Sequence, residues 1–370
     1  MSQEPVVLIV AGEPSGDIHA ARLMVALKQR IPGIRFVGIG GERMIEQGLD
    51  SIVDIRTMSV VGFWEVAKRY TFFKRVLADA HTLIASQKPS VFIPVDYPGF
   101  NMRLAAHAKK SGVPVVWYIA PQLWAWGEHR ARGLADVTDE LLVVFPFEQK
   151  FFAGYGIQTT FIGHPLLDDE TFGDSTPLLE GRSRTIAFLP GSRTQEVQRH
   201  LPIMAQAADI VRSSIGDIEC SIATSPLVPP EMYDRIADTH GLTQSPASRT
   251  LMKQAMAGVV KTGTSTLEAA LCGMPFAMMY RTSRLSYMIA RSLITLDSIS
   301  LVNILAGCAV IPELIQYDAT PQRIAHELQA LIEDESKRRE QHEQFCRIRT
   351  LLGDKGASGR AADSILRFLR

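Results

Sequence analysis

The sequence predicts an α/β protein made of two doubly wound, Rossmann-like domains facing each other across a cleft. Three observations carry this expectation. Short β-rich runs alternate with longer stretches of helical periodicity, the pattern of a parallel sheet covered by helices on both faces. The rhythm breaks once, at the Asp-, Gly-, Ser- and Thr-rich stretch "LLDDETFGDSTPLLEGRSR", and then restarts. The chain has 370 residues, more than one core needs and enough for two domains of roughly 150 to 190 residues.

In order, the first half reads as strands at "VVLIVAG", "IRFVGIG", "SVFIPVD", "PVVWYIA", "ELLVVFP" and "TTFIGHP". The first strand runs into "AGEPSGDIHAARLM", a small-residue turn opening an amphipathic helix. After the polar linker, strands resume at "TIAFLPG", "IECSIATS", "AGVVKTG" and "PFAMMY", and from about residue 282 the pattern is mostly helical. The expected boundaries are 1–170, 171–345 and a helical tail over 346–370, which packs back on an N-terminal domain of its own or a partner subunit.

Composition narrows the function classes. Lys plus Arg and Asp plus Glu balance at 39 each, so no global charge favours nucleic acid and none is expected as a partner. The four cysteines, Cys220, Cys272, Cys308 and Cys346, form no CxxC pair and suggest neither a zinc knuckle nor a disulfide framework. No apolar run reaches the ~18 residues of a membrane span, and "MSQEP" lacks the basic start of an export signal. A cytoplasmic enzyme is expected.

Ligands of open α/β sheets sit at the carboxyl ends of the strands, so the turns there carry the candidates. In "FLPGSRTQEV", Gly191, Ser192 and Arg193 combine a helix start with a guanidinium, a setting suited to a diphosphate. A plain Ser-capped helix with a surface arginine fits the same letters. In "VVKTGTSTLEAAL", Gly263, Thr264 and Ser265 open a helix whose Glu268 can bridge the vicinal hydroxyls of a ribose. The competing account is a Ser265 to Glu268 capping box. Two such turns in one half favour a nucleotide diphosphate over two coincidences. Neither a dinucleotide fingerprint nor a Walker loop follows the first strand.

In the first half, "VFIPVDYPGFN" drives an apolar strand into Asp96, a candidate general base, where a simple turn aspartate is the alternative. His19, just inside the first helix, is the rival base. Ser15, Gly16 and Asp17 of the opening turn, small residues and an acid at a helix start, suggest a ligand site, and the aromatic loop "PQLWAWGEHRARG", with Gln122 and Trp124, is a candidate lining of the cleft between the halves. No residues have metal-ligand spacing and no DxD pair occurs, so neither metal nor cofactor is expected. Residues 60–77 interleave Phe63, Trp64, Tyr70, Phe72 and Phe73 with Lys68, Arg69, Lys74 and Arg75, the pattern of an interfacial membrane helix. A core helix with a solvated basic face is the other reading.

The blocks "AGEPSGD", "RFVGIGGERM", "VDYPGFN", "PQLWAW", "FPFE", "FIGHPLLD", "LPGSRTQEV", "TGTSTLEAAL" and "SLVNILAG" resemble, in family order over residues 11 to 307, those of lipid-A-disaccharide synthase. The resemblance implies a metal-independent, inverting glycosyltransferase of the GT-B fold in lipid A biosynthesis. It would move 2,3-diacylglucosamine from UDP-2,3-diacylglucosamine to 2,3-diacylglucosamine 1-phosphate and release UDP. It also implies Asp96 as base, Arg193 at the diphosphate, Glu268 near the ribose, Asn303 in the donor site, and Ser15, Gly16, Asp17, Gln122 and Trp124 on the acceptor side. A location peripheral on anionic lipid of the inner leaflet follows, as does a homodimer with exchanged C-terminal segments. The chain departs from the family pattern at Gly99, where a second acid is frequent, at Val302, where proline is common, and at Cys308, where a basic residue is frequent. A UDP-sugar epimerase or a non-catalytic nucleotide-sugar binder would share the fold.

Overall fold

The computed structural model describes residues 4–58, 70–125, 127–293 and 296–369. The chain divides into two units, residues 1–168 together with 352–370, and residues 169–351. Each is built on one sheet whose named pairings are all parallel.

The first unit holds β1 (Val6–Ala11), β2 (Arg35–Gly40), β3 (Leu49–Asp54), β4 (Val91–Val95), β5 (Val116–Tyr118), β6 (Glu140–Val143) and β7 (Thr159–Phe161). Their order is β3-β2-β1-β4-β5-β6-β7. Central strands such as "VVLIVA" and "VFIPV" are apolar almost throughout because helices cover both faces. Leu8, Val10, Phe92 and Trp117 pack there against Ile84 and Leu104 of the covering helices.

The second unit holds β8 (Ser183–Leu189), β9 (Glu219–Ala223), β10 (Thr243–Ser245), β11 (Ala255–Lys261), β12 (Phe276–Tyr280) and β13 (Glu313–Ile315). Their order is β10-β9-β8-β11-β12-β13. Phe188, Ile222 and Val259 form its core with Leu201 and Met204 of the helix Thr194–Ile215 and Leu328 of the helix Pro321–Glu333. Beyond residue 282 the described chain is mostly helical, as expected, with the short strand β13 added to the sheet beside β12.

In both sheets the strand order reverses once, between β1 and β4 in the first and between β8 and β11 in the second. Connections on either side of a reversal leave in opposite directions, which opens a crevice at those strand ends. The C-terminal helix Ala357–Ile365 belongs to the first unit. Asp168 caps it, accepting hydrogen bonds from the backbone N–H of Gly356 (2.7 Å), Ala357 (3.0 Å) and Ser358 (3.0 Å). Beyond it, the Arg367 guanidinium pairs with the fully buried Glu140 of β6 at 2.6 Å. Among the described residues, no helix is long and apolar enough to cross a membrane.

Candidate active site

The first crevice is lined by turns that follow β1 and β4. Ala11 pairs with Val95, so Gly12 and Asp96 leave their strands side by side. A β-carbon at Gly12 would lie 2.3 Å from the Tyr97 ring, so glycine there lets the ring cross the turn. Asp96 and Tyr97 both adopt left-handed backbone, at φ 46° and 50°. Such residues cost of order 1–3 kcal/mol each and concentrate at functional sites. Asn101, fully buried, holds the turn by donating from Nδ2 to the Asp96 carbonyl at 2.8 Å. Burial, and after it the negative charge of Glu13, pushes the Asp96 carboxyl up to about 6, while the Tyr97 backbone N–H opposes the rise. Asp96 therefore sits close to the working range of a general base at neutral pH.

The neighbouring acceptor-side candidates separate. Ser15 is exposed at the start of the helix Pro14–Arg30, and Gly16 brings the backbone within 3.7 Å of Val95 as measured from the position of a β-carbon. Asp17 points elsewhere. Its carboxylate is buried and accepts from the backbone N–H of Gly41 (2.7 Å), Arg43 (3.1 Å) and Met44 (3.1 Å), capping the short helix Glu42–Glu46. The acid at the helix start thus serves the fold, and Gly41 is required because a β-carbon there would lie 2.6 Å from Asp17 Oδ2. His19 falls in the second turn of its helix rather than the first. It lies near His164, whose imidazole is held down to about 3 by burial and then by the charge of His19.

The loop after β5 is tied to the end of β6. Trp124 donates from Nε1 to Glu148 at 2.9 Å and meets the Phe147 ring edge-on at 4.9 Å. The other Glu148 oxygen accepts from the backbone N–H of Val144 and Phe145. Burial pushes this carboxyl up to about 7 against those hydrogen bonds. Gln122 is exposed. Nothing in the sequence distinguishes Glu148 from a surface helix acid, apart from its place in the "FPFE" block.

In the second unit, Val260 pairs with Leu189, so the turn Pro190–Arg193 and the turn Thr262–Thr264 leave adjacent strands. Gly191 has φ 122° and a β-carbon there would lie 2.4 Å from Glu196 Oε2. Ser192 does not cap the helix Thr194–Ile215; Arg193 occupies the cap position, and the Ser192 N–H donates to Glu196 Oε2 at 3.2 Å. Arg193 is exposed, with Nη1 4.0 Å from Glu196. Behind the turn, burial lowers the pKa of His200 against its contacts with two carbonyls, Nδ1 with that of Pro190 (2.8 Å) and Nε2 with that of Arg281 (3.0 Å). His200 therefore links the turn after β8 to the end of β12.

The capping box offered as an alternative for Glu268 does not form. Gly263, at φ 123°, is the cap of the helix Thr264–Leu271 and has no side chain to give. Glu268 instead pairs with Arg249 at 2.8 Å, and Arg249 Nη1 also donates to Asp169 at 2.7 Å. Thr264 is exposed, and Ser265 and Glu268 are partly so. Asn303, expected at the donor, is turned inward. Its Oδ1 accepts from the N–H of Val310 and Ile311, and its Nδ2 donates to the Ile311 carbonyl and Glu313. Among the described residues, no three His, Cys, Asp or Glu side chains are grouped to hold a metal ion.

Of the interfacial-helix residues, Phe63, Trp64, Lys68 and Arg69 lie outside the described residues. In the helix Tyr70–Gln87, Lys74 and Arg75 are exposed. Phe72 and Phe73 are half-buried and pack against the core of the first unit.

Two parallel sheets, each with one reversal of strand order, are the architecture of the GT-B fold, found in glycosyltransferases and in some epimerases. The chain is similar over 100% of both chains to a solved glycosyltransferase of kitacinnamycin, with a TM-score of 0.65 and 16% identity. It is also similar to UDP-GlcNAc 2-epimerase from Neisseria meningitidis, with a TM-score of 0.64 and 14% identity over 98% of this chain and 100% of that one. These likenesses concern the fold. The family model for lipid-A-disaccharide synthetase matches residues 7–365. The lipid-A-disaccharide synthase of Syntrophus aciditrophicus (strain SB) is 42% identical over 99% of this chain and 98% of its own length. That of Anaeromyxobacter dehalogenans (strain 2CP-1) is 37% identical over 98% and 97%. The chain belongs to the lipid-A-disaccharide synthase family of glycosyltransferases, as the sequence blocks imply.

Proposed function

We propose that the chain transfers 2,3-diacylglucosamine from UDP-2,3-diacylglucosamine to the 6-hydroxyl of 2,3-diacylglucosamine 1-phosphate, with inversion at the anomeric carbon. The observation that supports this most is the partly buried Asp96, with a pKa raised to about 6, at the strand-order reversal of the first sheet. Asp96 accepts the hydroxyl proton as the oxygen attacks the anomeric carbon. The bond to UDP breaks, and its electron pair leaves on the diphosphate. Gly191, Ser192 and Arg193 hold that diphosphate, with Glu268 toward the ribose. Ser15, Gly16 and the start of their helix face the acceptor, Gln122 and Trp124 flank it, and Asn303 supports the donor site from behind. Because both sugars carry acyl chains, residues 60–77 rest on anionic lipid of the inner leaflet. The protein works as a dimer.

The test is single-turnover formation of the disaccharide from the two acylated sugars. Product formation with release of UDP supports the reading. Turnover of UDP-N-acetylglucosamine alone would support the epimerase reading, which rests on the fold only. UDP binding with no product from either would point to a non-catalytic binder.

A further inference from the structure

Lys261 ends β11, an otherwise apolar strand, and the two donor-side turns meet at its ammonium. Nζ lies 2.8 Å from Glu196 Oε1, with the side chains only 18% and 15% exposed. It also lies 3.5 Å from the position a β-carbon would take at Gly263. Glu196 in turn accepts from the Ser192 N–H at 3.2 Å and lies 4.0 Å from Arg193 Nη1.

This arrangement poses an electrostatic difficulty. A diphosphate at the Gly191–Arg193 turn would meet the Glu196 carboxylate, which already accepts from the Ser192 N–H. Like charges at that range repel, and partial burial leaves the repulsion poorly screened. Arg193 alone would only cancel Glu196. We propose that Lys261 is a positioning residue that neutralises Glu196, so that the turn presents one net positive charge to an incoming anion. The inference rests on reading this turn as the diphosphate site. Lys261 acts through Glu196: the bridge holds the carboxylate on the Ser192 N–H and away from the phosphates.

The experiment is UDP binding by calorimetry to the full chain at low and high salt, with melting temperatures alongside. Lys261→Met is expected to weaken UDP about tenfold, the worth of one lost charge-assisted contact. Lys261→Arg should retain wild-type affinity. Glu196→Gln in the Lys261→Met background restores the net charge while keeping an acceptor for the Ser192 N–H, so affinity should recover most of the loss. The difference between wild type and Lys261→Met should shrink at high salt. Wild-type affinity in Lys261→Met would overturn the inference. So would a loss that Glu196→Gln does not relieve while the melting temperature is unchanged, or a loss that merely follows a lowered melting temperature. If Arg193→Ala also bound UDP like wild type, the diphosphate reading itself would fail. A loss in Arg193→Ala with none in Lys261→Met would sink only the role of Lys261.

Discussion

The raised pKa of Asp96 links activity to stability in one residue. Its carboxyl titrates at about 6 in the folded chain against an ordinary 3.8. A base near 6 is about nine-tenths ionised at pH 7 and about one-tenth at pH 5, so the single-turnover rate should fall roughly tenfold between them. The acceptor phosphate also titrates near pH 6 and would give a similar limb. Glu13→Gln separates the two, because it removes the second cause of the Asp96 shift and should move the limb toward acid. The stability consequence has the opposite sign from that of a salt-bridged carboxylate. The folded state binds this proton more tightly than the unfolded chain, so the penalty is fully present above pH 6 and disappears as pH falls from 6 to 3.8. At about 1.4 kcal/mol per pH unit, the ionised carboxylate costs at most about 3 kcal/mol at pH 7. Asp96→Asn, which also suits the left-handed backbone, should therefore be more stable than wild type at pH 7. The gain should be absent below about pH 4, and turnover should fall by ~10² to 10⁴. Urea unfolding at the two pH values and single-turnover kinetics from pH 5 to 8 make the measurement. A limb unmoved by Glu13→Gln, together with an Asp96→Asn variant no more stable than wild type at pH 7, would refute the assignment of a strained, buried base. If instead His19→Ala abolished turnover while Asp96→Asn kept more than roughly a tenth of it, the base would be His19.

Arg193→Ala and Glu268→Ala should each weaken UDP roughly ten- to a hundredfold by calorimetry, the loss of a charge-assisted partner of about 1.5 to 3 kcal/mol. Wild-type affinity in Glu268→Ala would leave that residue as the partner of Arg249 alone. Replacing Lys68, Arg69, Lys74 and Arg75 together by Ser should release the protein from anionic vesicles, each charge contributing on the order of 1 kcal/mol; unchanged cosedimentation would remove residues 60–77 from the membrane account. His164 stays neutral in the fold down to about pH 3, while the unfolded chain protonates it below about 6.5. Its contribution to stability is therefore constant above pH 6.5 and lost below, by about 2 kcal/mol at pH 5. Because Asp96 and Glu148 shift the other way over the same range, the measurement is the difference between wild type and His164→Gln. That difference should move by about 2 kcal/mol toward the variant from pH 7 to pH 5, and a constant difference would show that His164 is not held neutral.

The strands legible in the sequence are those covered on both faces. β1, β4 and β12 read as apolar runs throughout, and β8 and β11 over all but their ends, because each is flanked by two strands and two helix layers. Of the four edge strands, β7 shows through "TTFIGHP", while β3, β10 and β13 do not show in the sequence. Their texts, "LDSIVD", "TQS" and "ELI", are short or half polar, since an edge strand needs little apolar surface. The site divides in the same way. Gly12, Asp96, Gly191 and Gly263 are legible as strand-end turns because a strand end needing special backbone geometry is marked by its own letters. Asp17 was misread because an acid near a helix start looks the same whether it faces a ligand or caps the next helix. The pairs Lys261–Glu196, Arg249–Glu268 and Trp124–Glu148 left no mark in the sequence. Each joins residues on different strand ends or helices, so strand order decides which side chains meet. Lys261 faces Glu196 only because β11 pairs with β8, although two strands, β9 and β10, and their helices separate β8 from β11 along the chain. In an unbroken order β8-β9-β10-β11 the ammonium would end far from the turn. The same reversal of strand order that opens the crevice thus brings the Lys261 ammonium to Glu196.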